Sequence, residues 1–162
     1  QHGCNFISAM PTNLYGPGDF FETENSHVIP ALMAKIHRAV AENAAEVEIW
    51  GSGEPHREFL YSEDAADALV FLMQTYSGES HVNIGTGEEL RIIELARLIA
   101  EVTGYRGAWT FDRERQDGPP RKLSDIRLLK ALGWAPRTAL RDGLQATYDW
   151  FLDALAAEQI RA

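Results

Sequence analysis

A histidine stands where a polar, turn-rich loop meets an amphipathic segment. The loop occupies residues 11–17, the segment starts near Ile29, and His27 lies between them. Loops that rigid elements hold in place often carry binding or catalytic groups. A histidine at a helix start either bonds locally or acts as a general acid in proton transfer. The residues alone leave these two interpretations balanced.

Several cationic residues are candidate contacts for an anionic ligand. They are Lys35, Arg38, Arg57, Arg121 and Lys122, and each alone is typical of a solvated surface charge. Arg57 is the strongest candidate, because it follows the glycine turn WGSGEPH and begins a predicted strand. A rigidly placed guanidinium binds phosphate oxygens in a bidentate way that lysine does not match.

Two further features lie near these cations. Trp50 ends the apolar run VEIW, and it either packs in the core or stacks on a planar or sugar ring. The loop DGPPRK contains Asp117 and Lys122, and its two prolines restrict the backbone. A stiff loop with charged side chains is typical of a clamp over a ligand.

Three other chemistries find less support. The run HVNIGTGEELRIIELA has the outline of a dinucleotide-binding turn, but Leu90 occupies the third glycine position, where close strand–helix packing needs glycine. The carboxylates Asp19, Glu22 and Glu24 lack the ligand spacing of a metal site, so we expect no bound metal. Cys4 has no activating basic neighbour at motif spacing, and the sequence has no GxSxG elbow.

The composition is that of an ordinary globular chain. Its 162 residues, 45% hydrophobic and 24% charged, can bury a substantial core. The net charge of −9 argues against binding to nucleic acid or to an anionic membrane. One cysteine fits a reducing compartment, and no apolar run reaches membrane-spanning length. We therefore expect a soluble, cytoplasmic protein without nucleic-acid or membrane partners.

Hydrophobic periodicity predicts a mixed α/β chain that positions these groups. Strands are predicted over 5–10, 47–50, 57–61, 80–85 and 108–111. Helices are predicted from about 29, from a cap at Ser62, over about 91–103, from Asp125 to Gly133 and over about 139–156. In the second helix, the residues expected to face the core are Ala65, Ala66, Leu69, Val70 and Met73. Because 47–50 and 57–61 are too close for a parallel crossover, we expect a small mixed sheet with packed helices.

Seven motifs, in their order and spacing, resemble those of the GDP-L-fucose synthase family of extended short-chain dehydrogenases/reductases. They are PTNLYGPGD, NSHVIPALM, WGSGEPHREFLYSEDAADA, VNIGTGEELRIIELA, DGPPRKLSD, LGW and GLQATYDWFL. LYGP and GTG occur in many nucleotide-sugar epimerases and dehydratases, whereas the second, third and fifth motifs are more specific. The resemblance implies NADPH-dependent 3,5-epimerisation and 4-reduction of GDP-4-keto-6-deoxy-D-mannose to GDP-L-fucose.

The resemblance covers only the C-terminal half of the family's length. It implies a substrate-binding lobe of a Rossmann-type enzyme, with the N-terminal Rossmann core largely missing. Residues 1–25 would be a late strand and loop of the NADP-binding domain, and residues 26–162 the lobe that binds the nucleotide sugar. In the family the glycine-rich turn, the Tyr-x-x-x-Lys pair and the epimerase cysteine lie upstream, and no tyrosine here has a lysine four residues on.

The resemblance also implies partners for this chain. Most of the NADP(H) site would lie in the missing half, so the chain alone is expected to be inactive in reduction. The full-length enzyme is expected to be a homodimer that binds a GDP-sugar.

The family's functional positions can be matched to residues of this chain. The segment that matches the nicotinamide end of the NADP site consists of Pro11, Thr12, Asn13 and Leu14. His27 matches the general acid of epimerisation and also borders the cofactor. The positions that match contacts to the GDP-sugar are Lys35, Trp50, Arg57, Asp117 and Lys122.

Two alternatives stand beside this interpretation. In the first alternative, the chain is the substrate lobe of another nucleotide-sugar epimerase or dehydratase, although the presence of His27 counts against this alternative. Alternatively, it is a non-catalytic module that binds a nucleotide sugar. An upstream reading frame with a glycine-rich turn and a Tyr-x-x-x-Lys pair would favour an enzyme.

Overall fold

The computed structural model describes residues 3–21 and 26–160. Within these ranges the helices are α1 (Val28–Ala41), α2 (Ser62–Thr75), α3 (Ile92–Thr103), α4 (Arg127–Leu132) and α5 (Leu140–Ala156). The strands are β1 (Ala9–Pro11), β2 (Asn13–Tyr15), β3 (Glu46–Trp50), β4 (His56–Arg57), β5 (Phe59–Tyr61), β6 (Val82–Ile84), β7 (Leu90–Arg91), β8 (Ala108–Asp112) and β9 (Arg121–Lys122). The predicted α/β class is confirmed.

The strands form small sheets, most of them parallel pairs. Strand β1 pairs with β6, β2 with β5, and β3 with β8, each in parallel. Strand β4 pairs antiparallel with β7 and parallel with β9, so the mixed pairing occurs in this three-stranded sheet. The segments 47–50 and 57–61 do not pair with each other, in agreement with their short separation.

Two apolar clusters hold the helices against these sheets. The larger cluster lies between α1, α3 and α5 and includes the fully buried Met33, Leu95 and Phe151. The smaller cluster joins α2, β6 and α4 through Leu72, Ile84 and Leu129. At the start of helix α3 the Glu94 carboxylate accepts hydrogen bonds from the backbone N–H and the guanidinium of Arg91, and the helix ends at Gly104, whose φ of 83° suits glycine.

Helix α2 departs from the prediction. It buries Asp64, Ala65, Ala68 and Leu72, whereas Leu69, Val70 and Met73 are 48%, 51% and 70% exposed. The helix is apolar on more than one side, so its sequence does not fix which side packs inward. Asp64 turns inward because its carboxylate accepts hydrogen bonds from the backbone N–H groups of Arg137 and Thr138.

Two local predictions were also wrong in detail. Tyr61, and not Ser62, is the residue that precedes the first turn of α2. The predicted strand 57–61 is divided at Glu58 into β4 and β5. The two parts pair with different strands: β4 pairs with β7 and β9, whereas β5 pairs with β2.

Candidate functional site

Four chambers that share lining residues make up the candidate site, which we call the cleft. The histidine chamber, about 500 Å³, is lined by residues 11–19 with His27 and Ser62. The lysine chamber, about 370 Å³, lies between residues 11–13 and residues 122–124. The arginine chamber, about 210 Å³, contains Arg57. The tryptophan chamber, about 440 Å³, contains Trp50 and Lys35.

Shared wall residues connect these chambers. Asn13 lines the histidine, lysine and arginine chambers. Val28, Trp50 and Ile92 line both the arginine and the tryptophan chambers. Every residue matched to a functional position of the family lies in one of the four chambers, whereas the candidate cation Arg121 lines none of them. The matched residues are Pro11, Thr12, Asn13, Leu14, His27, Lys35, Trp50, Arg57, Asp117 and Lys122.

His27 immediately precedes α1 and is exposed. Its backbone carbonyl accepts the first helical hydrogen bond, from the N–H of Ala31 at 3.0 Å. Its side chain makes no hydrogen bond that caps the helix. The geometry therefore favours a role for the ring in the histidine chamber over a local capping role.

Arg57 is fixed by its own backbone surroundings. Its Nη1 donates to the carbonyl oxygens of His56 at 2.8 Å and of Pro119 at 2.7 Å. A Cβ added to Gly118 would lie 2.9 Å from Arg57 Nη2, so the glycine makes room for the guanidinium. The stiff loop predicted from DGPPRK thus packs directly against the arginine.

Asp117 ties the same loop to the glycine turn after β3. Its Oδ1 and Oδ2 accept hydrogen bonds from the N–H of Ser52 at 2.9 Å and from the hydroxyl of Ser52 at 2.6 Å. These hydrogen bonds, with a smaller contribution from the charge of Arg57, lower the pKa of Asp117 below its ordinary value. A Cβ at Gly51, where φ is 76°, would collide with Asp117 Oδ1. Asp117 therefore shapes the wall of the arginine chamber.

Lys122 reaches the cleft through sheet pairing. Strand β9 lies parallel to β4, with Lys122 in register with Arg57 and Arg121 in register with His56. Arg121 forms an ion pair with Glu89 at 2.8 Å, so its charge is partly compensated. Strand pairing thus brings the two predicted cations, Arg57 and Lys122, to neighbouring positions.

Two cations lie close to Trp50 in the tryptophan chamber. The guanidinium carbon of Arg115 is 3.8 Å from the ring centroid, and Lys35 Nζ is 5.9 Å from it. The ring is 39% exposed, which excludes the interpretation of Trp50 as a core residue. Burial, and to a lesser degree the charge of Arg115, lowers the pKa of Lys35, while Glu48 opposes this shift.

Sequence reasoning missed Arg115 and Glu58. Arg115 has no motif signal, because its place over Trp50 depends on the path of the 113–120 loop. Glu58 had one available signal, a second charged residue that follows Arg57 inside the predicted strand REFLY. Its Oε1 accepts a hydrogen bond from the N–H of Gly87 at 2.7 Å, so the GTG segment is held as a structural turn.

The structure also bears on metal and membrane binding. Across residues 3–21 and 26–160, no three His, Cys, Asp or Glu side chains are grouped so that they could hold a metal ion. Glu22 and Glu24, considered as metal ligands in the sequence, lie outside the described residues. None of the helices that the structure describes has the length and apolarity needed to cross a bilayer.

Known proteins resemble this chain over nearly its whole length. A model of the NAD dependent epimerase/dehydratase family matches residues 1–85. GDP-L-fucose synthase 1 of Arabidopsis thaliana is 57% identical over 152 residues, which cover 94% of this chain and 47% of that protein. GDP-L-fucose synthase of Escherichia coli (strain K12) is 48% identical over 162 residues, with 94% and 50% covered.

A solved structure gives the same result. The chain superposes on a GDP-L-fucose synthetase from Naegleria fowleri bound to NADP with a TM-score of 0.88 and 34% identity, covering 97% of this chain and 49% of that one. The resemblance inferred from the motifs is confirmed, and the chain spans about half the length of the curated relatives it matches.

Proposed function

This chain belongs to the NAD dependent epimerase/dehydratase family, and from that premise we propose that it is the nucleotide-sugar-binding part of a GDP-L-fucose synthase. The observation that carries the proposal is that the chambers of the cleft share wall residues: Asn13 lines both the chamber of His27 and the chamber of Arg57 and Trp50. A nucleotide diphosphate sugar is a long ligand with a planar base, a diphosphate and a sugar ring. The cleft offers a separate chamber with suitable chemistry for each of these parts.

The diphosphate is assigned to the cations of the cleft. Arg57, Lys122 and Lys35 line adjoining chambers, and a chain with a net charge of −9 needs such a local cluster to hold a polyanion. Arg57 is held by His56 and Pro119, so little of its conformational freedom is lost on binding. Trp50 is assigned to the nucleotide, where its ring supplies a stacking surface.

The sugar is assigned to the histidine chamber. Protons next to a 4-keto group are acidic, and epimerisation at C3 and C5 requires a base on one face of the ring and an acid on the other. We assign the acid to His27, which returns a proton to the carbon from which the base has removed one on the opposite face. The base belongs to residues outside this chain, because the family's cysteine has no counterpart here.

The cofactor is NADP(H), as in the Naegleria relative, which is bound to NADP. When bound, it supplies the hydride for reduction at C4. Residues 11–14 of this chain fit its nicotinamide end, because Leu14 is 38% exposed beside His27 in the same chamber. The side chains of Thr12 and Asn13 donate to the carbonyl oxygen of Glu58 at 3.3 and 2.8 Å and so hold this segment rigid.

The domain assignment follows from incomplete packing at one side of the molecule. Strands β1 and β2 each pair with one neighbour among the described residues, whereas parallel strands are normally buried in larger sheets. Phe6, which precedes β1, and Met10, which lies within it, are 85% and 58% exposed. We therefore assign residues 1–25 to a Rossmann domain completed by further polypeptide, and 26–162 to the substrate lobe. Residues 22–25 of this division lie outside the described residues.

This assignment has consequences for the whole protein. Because the Tyr-x-x-x-Lys pair and the glycine-rich turn would come from the added polypeptide, the 162-residue chain alone is expected to oxidise no NADPH with the 4-keto sugar. We also propose a cytoplasmic location and a homodimer for the full-length protein.

The proposed acid can be tested in the full-length protein that carries this chain. We expect His27→Asn to suppress solvent deuterium incorporation at C3 and C5 by about a hundredfold, while GDP binding changes less than about twofold. His81→Asn, at an exposed histidine outside the cleft, is the matched control and should change neither. Equal loss of deuterium incorporation and of GDP binding would show that His27 is structural.

A further inference from the structure

Glu58 is a fully buried carboxylate directly beside the cleft. Its two oxygens accept hydrogen bonds from backbone N–H groups of different loops. Oε1 accepts from Gly87 at 2.7 Å and Oε2 from Ser124 at 2.8 Å. A buried charge with several charge-assisted hydrogen bonds is expensive to rearrange. The carboxylate therefore fixes the distance between the two loops.

The backbone of the same residue holds a third segment. The carbonyl oxygen of Glu58 accepts hydrogen bonds from Asn13 Nδ2 at 2.8 Å and Thr12 Oγ1 at 3.3 Å. Residues 11–13 form one wall of the lysine chamber, and residues 122–124 form the other. Glu58 thus binds both walls of that chamber, one through its backbone and one through its side chain.

The surrounding sequence is adapted to this carboxylate. A Cβ added to Gly85 would collide with Glu58 Oε1, so glycine is required for the close approach of the GTG turn. Glu58 also follows Arg57 directly, at the point where β4 ends and β5 begins. The residue that fixes the chamber walls is therefore rigidly linked to the arginine of the neighbouring chamber.

We propose that Glu58 is a positioning residue that fixes Lys122 and residues 11–13 relative to Arg57, so that Arg57 and Lys122 contact one diphosphate together. This inference rests on the proposed function for its ligand. A neutral side chain cannot replace the carboxylate, because both oxygens receive N–H donors. The NH₂ group of a glutamine amide would face one of these N–H donors, and two donors cannot form a hydrogen bond. The loop that carries that N–H would therefore lose its hydrogen bond to residue 58.

The test compares GDP binding by calorimetry with backbone amide exchange in the full-length protein that carries this chain. Glu58→Gln is expected to weaken GDP binding about tenfold or more and to speed exchange at Gly87 or Ser124. Gly85→Ala is the second variant, because it displaces the carboxylate without removing it and is expected to act in the same direction. Its use keeps the test decisive if the glutamine variant does not fold.

Asp64→Asn is the matched control. Asp64 is another buried carboxylate that accepts two backbone N–H groups, those of Arg137 and Thr138, but it lines none of the four chambers. It should lower the free energy of unfolding as Glu58→Gln does, while GDP affinity stays within about twofold. This separates positioning from general destabilisation.

The outcomes are distinct. Loss of GDP affinity in the Glu58→Gln and Gly85→Ala variants, with none in the Asp64→Asn variant, supports the inference. Unchanged GDP affinity in a folded Glu58→Gln or Gly85→Ala variant, or equal loss in all three variants, overturns it. If the unaltered protein binds no GDP, the proposed function fails. In that case, amide exchange at Ser124 in the Glu58→Gln variant tests the role of Glu58. Faster exchange supports the conclusion that Glu58 fixes this loop, and unchanged exchange refutes it.

Discussion

Replacement of Arg57 by alanine should remove a specific part of the affinity for a nucleotide diphosphate. Its Nη1 is occupied by the carbonyl oxygens of His56 and Pro119 at 2.8 and 2.7 Å, which orients the rest of the guanidinium in the arginine chamber. Two charge-assisted hydrogen bonds to phosphate contribute about 1.5–3 kcal/mol each. Because Arg57 is partly exposed, we take the lower value, about 1.5 kcal/mol, for each hydrogen bond. The two bonds together then contribute about 3 kcal/mol, which is on the order of a hundredfold in affinity.

The assay is isothermal titration with GDP and, separately, with guanosine. Arg57→Ala should weaken GDP binding on the order of a hundredfold and leave guanosine binding within about twofold, because only GDP carries the phosphates. Arg57→Lys retains the charge but not the bidentate geometry, so an intermediate loss of about tenfold is expected. Arg97→Ala, at an exposed arginine of α3 outside the chambers, should change neither affinity. Equal losses for GDP and guanosine, or no loss, would refute the assignment of Arg57 to the diphosphate.

Three further predictions follow from the packing and charges of the structure. Burial lowers the pKa of His37 below 6.5. The unfolded state therefore binds more protons than the folded state, and the free energy of unfolding should fall as pH drops through this value. His37→Gln should reduce the dependence of the unfolding free energy on pH in urea titrations, and an unchanged dependence would contradict the prediction. Burial also lowers the pKa of Lys35. Because Lys35 then loses its charge as the pH rises, GDP affinity should decline between about pH 7 and about pH 10, and it should decline less in the Lys35→Arg variant. Equal declines in the unaltered protein and the variant would exclude Lys35 from the site. Leu69 and Met73 are exposed apolar residues of α2, and we propose that further polypeptide of the full-length protein covers them. Leu69→Ser with Met73→Gln should then destabilise the full-length protein by about 2 kcal/mol but the 162-residue chain by less than about 0.5 kcal/mol in urea unfolding, and equal effects would contradict this contact.

The order of the elements could be predicted from the sequence, because the helices carry clear periodicity and end at strong signals. Helix α1 buries Ile29, Leu32, Met33 and Ile36, as expected from their spacing. Gly133 and Gly104 end their helices in the left-handed conformation. The buried side of α2 could not be predicted, since Leu69 and Met73 compete with Leu72 for the core and tertiary contacts decide between them.

The site was predicted through motifs, and the structure explains why composition alone was insufficient. Arg57 and Lys122 are 65 residues apart in the sequence, and parallel pairing of β4 with β9 makes them neighbours. No local pattern reports such a pairing. Glu58 is similar, because its partners Gly87 and Ser124 come from distant loops, and only the tertiary structure brings them to one carboxylate.

The central claim is that the four chambers hold a nucleotide diphosphate sugar as one cleft, and Trp50 reports on it most directly. Of the four tryptophans in this chain, Trp50 alone lines the cleft. In protein labelled with 5-fluorotryptophan, the ¹⁹F signal that is lost in the Trp50→Phe variant identifies this residue. Titration with GDP-mannose should shift that signal in a saturable way, while the signals of Trp109, Trp134 and Trp150 stay in place. A Trp50 signal that stays unchanged at saturating GDP-mannose would contradict the account.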